Sequence, residues 1–100
     1  MDSEWDEAKR QANILKHGID FVDAMEIFEG EFIETEDRRR DYGERRYRAI
    51  GLLTKTVIQV AYTWRGESRR IISARRASRN DRRAYYTSFP SAGPQNAESN

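Results

Sequence analysis

Apolar positions recur at two different periods along this chain, and the change between them divides it into a helical part and a strand-rich part. Ala8, Ala12 and Leu15, and then Phe21, Met25 and Phe28, return every three or four residues, the spacing of one helix face. Asp6 and Asp20 precede these runs and are suited to accept from the free N–H groups of a first turn, while Gly18 and Gly30 follow as stops. The pattern predicts two short helices joined by a tight turn. In the first, Ala8, Ala12 and Leu15 form the apolar stripe, and Lys9, Asn13, Lys16 and His17 lie near a second, polar face. Trp5 closes a short start that can form an edge strand.

Beyond Gly30 the period shortens. Glu31–Thr35, Tyr47–Leu53, Thr56–Trp64 and Arg69–Arg76 read as strands, the third rich in β-branched and aromatic residues. Thr54-Lys55 and Arg65–Ser68 are the natural hairpin turns. Simple alternation on the last strand puts Ile72 and Ala74 on one face and Ile71, Ser73 and Arg75 on the other. Ser78 followed by Asp81 resembles a capping box and starts a third helix at about Arg79–Tyr86. From Thr87 the chain is Ser, Pro, Gly, Asn and Gln with no apolar period, which predicts a flexible tail over 88–100. The expected fold is one α+β domain over 1–87, an antiparallel sheet of about four strands with the helices on one side.

Composition narrows the chemistry. One hundred residues suit one core, and the absence of cysteine removes disulfides, thiolate metal sites and thiol nucleophiles. Neither a leader-like start nor a bilayer-length apolar run is present, so a soluble cytoplasmic protein without membrane contact is expected. The net charge is only +1, but its distribution is uneven. Ten acids and three bases lie between Asp20 and Glu44, against eight arginines and two acids between Arg65 and Arg83. Such a dipole can offer one face to phosphate and another to a basic protein.

The arginine-framed strand and helix carry the candidate chemistry. Guanidinium groups are permanently charged planar forks suited to phosphate oxygens, and adjacent tyrosines offer faces on which bases stack. The carboxylates form no recognisable magnesium constellation, His17 is the only imidazole, and no serine has an elbow motif. A ribonuclease without metal or cofactor needs less, because RNA supplies its own 2′-hydroxyl nucleophile. Arg70, Arg75 and Arg76 are then candidate phosphate clamps. His17 or a lysine is the base or acid, Tyr85 or Tyr86 the stacker or proton donor, and Arg79 and Arg82 further RNA contacts. The bland readings are a capping His17, solvated lysines, a Tyr85 that anchors the last helix, and Arg69, Arg79 and Arg83 as surface charge.

Two separated motifs add to this. Trp5-Asp6-Glu7-Ala8-Lys9, Asn13, Lys16-His17-Gly18-Ile19 and Phe21 resemble the opening signature of the BrnT family of bacterial toxins. Arg45–Gly51 resembles its middle strand, and Arg70–Ala77 with Arg82-Arg83-Ala84-Tyr85 its closing signature. Asp81 and Tyr86 depart from the family pattern, and the run Glu36–Tyr42 matches nothing firmly. The resemblance implies a RelE-like fold and a type II toxin that cleaves RNA and blocks translation. It also implies a BrnA-like antitoxin through whose complex the toxin meets operator DNA. By position, Lys9, Lys16 and His17 fall in the opening signature, and Arg70, Ser73, Arg75 and Tyr85 in the closing one, which makes them the candidate site residues without assigning their roles. The competing reading is a non-catalytic module that grips nucleic acid or a protein through its basic segment.

Overall fold

The computed structural model describes residues 3–93. Along the chain come β1 (Ser3–Trp5), α1 (Glu7–His17), α2 (Phe21–Ala24), β2 (Phe32–Asp37), β3 (Arg46–Leu53), β4 (Thr56–Arg65), β5 (Ser68–Arg76) and α3 (Arg79–Ser88). Short 3-10 turns lie at Met25–Glu29 and Pro90–Ala92. The class is α+β, as expected, but the sheet has five strands in the order β1-β5-β4-β3-β2. It is mixed rather than antiparallel, because Ser3–Trp5 runs parallel to Arg69–Ile71. The other three pairings are antiparallel.

The helices cover both faces rather than one. Phe21, Ala24 and Ile27 pack with Ala49, Ile58, Val60, Tyr62, Ile71 and Ala74 on one face. Tyr85 of α3 packs with Ile50, Val57 and Ala77 on the other. Consecutive apolar residues such as Ala49-Ile50 and Val57-Ile58 point to opposite faces of a strand, so neither face of this sheet can be left wet. The first packing is close: a Cβ on Gly51 would lie 2.6 Å from the Ile27 Cβ, so only glycine lets the 3-10 turn reach β3.

A bulge in β5 resets its alternation. Ala61 faces Ser73 but the next residue, Tyr62, faces Ile71, leaving Ile72 as the extra residue. Ile71 and Ala74 are therefore both in the core, where uninterrupted alternation would separate them. Arg70 consequently joins Ser73 and Arg75 on the α3 face, opposite Thr63, Ala61 and Gln59 respectively.

The orientation of α1 also differs from the expected one. Asp6 caps it, accepting from the Ala8 amide at 2.8 Å, and Gly18 ends it in the left-handed region at φ 71°. Leu15 is 89% exposed, whereas Asn13, expected on the polar face, is buried. Its Nδ2 donates to the carbonyls of Ile19 and Ala74, both at 2.8 Å, and its Oδ1 accepts from the Ala74 amide at 3.1 Å. β1 pairs with only the first part of β5, so past Ile71 the strand edge needs other partners, and one carboxamide supplies both donor and acceptor. The helix covers a polar edge, not an apolar face.

The third helix starts as expected, with the Ser78 hydroxyl accepting from the Asp81 amide at 3.1 Å. It continues through Thr87 and Ser88, two residues past its expected end, and Phe89 packs on Tyr85 at a ring separation of 5.1 Å. The rest of the expected tail, 94–100, lies outside the described residues.

Candidate active site

Strand β5 and helix α1 position the candidate residues. Lys9, Lys16 and His17 come together with Ala12, Asn13, Ile72 and Ser73 around a shallow pocket of about 260 Å³. Positions 9, 13, 16 and 17 share a helix face at spacings of three and four, and the Asn13 bonds to Ala74 hold that face against the bulge. His17 is half-buried in the last turn. Ser73 belongs both to this pocket and to the α3 face of the sheet, which makes the two surfaces adjoining.

On that face the cross-strand register sets out three rows. Arg75 stands opposite Gln59 and Ile50; Ser73 opposite Ala61, Arg48 and Thr35; Arg70 between Thr63 and Glu4. Arg75 is exposed, and its Nη2 donates to the Gln59 Oε1 at 3.5 Å. Gln59 is buried in the sheet, and its Nε2 donates to the Asp81 Oδ2 at 2.9 Å, so β5 and α3 are linked through one amide. Arg70 is held by the Glu4 carboxylate at 2.8 Å.

Other candidates fall elsewhere. Arg76 lies opposite Ile58, on the reverse face of β5 from Arg75. Arg79 is exposed in the first turn of α3. Arg82 is exposed too, but its Nη1 donates to the Ala77 carbonyl at 3.0 Å, across the junction of β5 and α3. Tyr85 is not brought to the pocket: it is 2% exposed, and its hydroxyl donates to the Glu31 carbonyl at 3.2 Å. Burial, with the Glu31 charge behind it, pushes its phenol above the usual tyrosine value. Its partly buried neighbour Tyr86 lines a separate pocket with Leu52, Thr54, Lys55 and Ala92. Arg69, read as surface charge, is buried, with its guanidinium 3.9 Å from the Phe28 ring centre and 4.6 Å from that of Trp64. Burial lowers its affinity for its proton. The Arg69-Arg70 pair is thus split between core and site.

Arg48 and Gln59 also lie on this face, and neither is among the candidates that the sequence singles out. Arg48 belongs to the Arg45–Gly51 motif, in which nothing marks one arginine from its neighbours. Gln59 is the lone amide in the run Thr56–Trp64, and a polar residue inside an apolar strand was the available signal. Among the described residues no three His, Cys, Asp or Glu side chains gather as a metal-ligand set, and no helix is long and apolar enough to cross a membrane.

A family model described as the ribonuclease toxin BrnT of type II toxin–antitoxin systems matches residues 5–81. The match spans Lys9, Lys16, His17, Arg70 and Arg75 and stops short of Tyr85. No curated protein matches the chain at a significant level. On a match covering most of its length, the chain belongs to the BrnT family of ribonuclease toxins of type II toxin–antitoxin systems.

Proposed function

We propose that this toxin has a RelE-like fold and works in the cytoplasm as an endoribonuclease that blocks translation without a metal or cofactor, using the RNA 2′-hydroxyl as nucleophile. The observation that carries this reading is the juxtaposition of the Lys9, Lys16 and His17 pocket with the Arg70 and Arg75 face, joined at Ser73. A base takes the 2′-hydroxyl proton, the oxygen attacks phosphorus, and the leaving 5′ oxygen receives a proton. The products are a 2′,3′-cyclic phosphate and a 5′-hydroxyl. His17 with Lys9 or Lys16 moves the protons, and Arg75 and Arg70 hold the phosphate as charge develops on it. Arg70 does so by exchanging the Glu4 carboxylate for a phosphate oxygen. Arg76, Arg79 and Arg82 serve only to attract or contact RNA outside the reacting centre.

The expected partner is a BrnA-like, DNA-binding antitoxin that covers the arginine face and excludes phosphate, so that the toxin reaches DNA only through their complex. A complex that cut RNA at the full rate would refute that mode of inhibition. For the toxin itself, RNA incubated in EDTA should give 2′,3′-cyclic ends, and a 2′-deoxy substitution at the cleaved nucleotide should abolish cutting. Arg75→Ala should slow cleavage about 100-fold without lowering the melting temperature, because the side chain is exposed. An Arg75→Ala protein that cuts as well as the parent would end this assignment. RNA bound without products would instead support the non-catalytic module.

A further inference from the structure

Arg48 lies at mid-sheet, on β3 between β2 and β4, and differs from the other arginines of its face. Arg46 is paired with Glu44, Arg70 with Glu4, and Arg75 contacts Gln59. No acid of the described chain pairs with Arg48, and its Nε is buried without a hydrogen-bond partner. A guanidinium keeps its charge at any physiological pH, and withdrawing one of its donors from water without replacing the lost bond costs folding free energy. Such a group is accounted for when an anion arrives from outside the chain.

The neighbours of Arg48 leave room for one. Its row carries Thr35, Ala61 and Ser73, all short side chains, while α3 packs over Ile50 and Val57 in the adjoining positions. Ser73, two strands away, lines the Lys9, Lys16 and His17 pocket. Strands are spaced about 4.8 Å apart, so the long Arg48 side chain and the pocket flank the same stretch of sheet.

We infer that Arg48 is a phosphate-binding residue of the ribonuclease site, offering its fork to the oxygens of the bound phosphodiester from the floor of the sheet. The inference rests on the ribonuclease reading above and adds a second strand, β3, to the phosphate contacts that β5 supplies. It also implies a conflict between stability and function, because the unpartnered donor serves the substrate at the expense of the fold.

The test compares the parent with Arg48→Met and Arg48→Gln in three measurements: cleavage of RNA in EDTA, affinity for an uncleavable 2′-O-methyl oligonucleotide, and melting temperature. Both variants should melt at or above the parent temperature, bind the oligonucleotide at least tenfold more weakly, and cut about 100-fold more slowly. Arg48→Lys, which restores charge without the fork, should recover only part of the loss. Parent-like cutting and binding by either neutral variant overturns the inference, as does a lowered melting temperature with unchanged affinity in the folded fraction. A parent that leaves RNA intact removes the ribonuclease reading and the inference with it. A cutting parent matched by the variants removes the inference alone.

Discussion

Tyr85 admits two readings from its surroundings in the chain, a proton donor beside arginines or an anchor for the last helix, and its hydroxyl separates them. That hydroxyl meets the Glu31 carbonyl, and the ring sits between Tyr86 and Phe89. Tyr85→Phe should therefore lower stability by about 1 kcal/mol, the worth of one buried hydrogen bond, while cleavage per folded molecule stays at the parent rate. Loss of turnover in a fully folded Tyr85→Phe protein would return the phenol to the chemistry. Arg69 and Arg70 make the same point side by side. Both are arginines on one strand, yet one stacks on Phe28 and the other meets Glu4, because neighbouring side chains leave a strand in opposite directions.

At the scale of elements, α1 was legible in its limits and not in its orientation. Asp6 and Gly18 mark its ends because capping is a local matter of a few backbone groups. Which face turns inward depends on what it meets, and here it meets the open edge of β5. Asn13→Ala should cost about 2–4 kcal/mol, since it strands the Ala74 donor and acceptor as well as losing its own bonds. Hydrogen exchange at the Ala74 amide should accelerate in the same variant, and cleavage should fall as Lys9, Lys16 and His17 lose their placement. Leu15→Glu, on the face the pattern marked as core, should change stability by no more than about 0.5 kcal/mol. Denaturant unfolding of the two variants checks the orientation directly, and the reverse order of effects would contradict it.

For the molecule as a whole, the loop joining β2 to β3 adds a dependence on acid. Asp37 is buried at its base, bonded by Arg39 through two atoms at 2.8 Å and by the Tyr42 hydroxyl at 3.0 Å. The Arg39 guanidinium chiefly, opposed by burial and aided by the Arg39 amide and Tyr42, holds its carboxyl well below the usual range. A depressed carboxyl contributes its full stability above the unfolded value, about 3.9, and loses it as pH falls toward the folded value. Urea unfolding should show Asp37→Asn less stable than the parent at pH 7, with the gap narrowing as pH drops from about 4. A gap that stayed constant to pH 2.5 would remove Asp37 from the acid response. Glu36–Tyr42 matched no motif, and its role emerges only from the contacts that Asp37 gathers.

The sequence by itself determined the class of the fold, the caps and the hairpin turns, because these rest on local periodicity and on residue types. It also supplied the candidate chemistry, in arginine, lysine, tyrosine and one histidine. Tertiary structure decided which of those residues meet. Period-two alternation would put Arg70 and Arg75 on opposite faces of β5; the extra residue at Ile72 puts them on the same one. That bulge depends on the register with β4, a long-range property that no window of β5 contains. The strand edge exposed beyond β1 then draws Asn13 inward, and with it the lysines and histidine of α1. Hydrogen-bond groups that had to be satisfied, more than apolar surface that had to be buried, brought the two halves together.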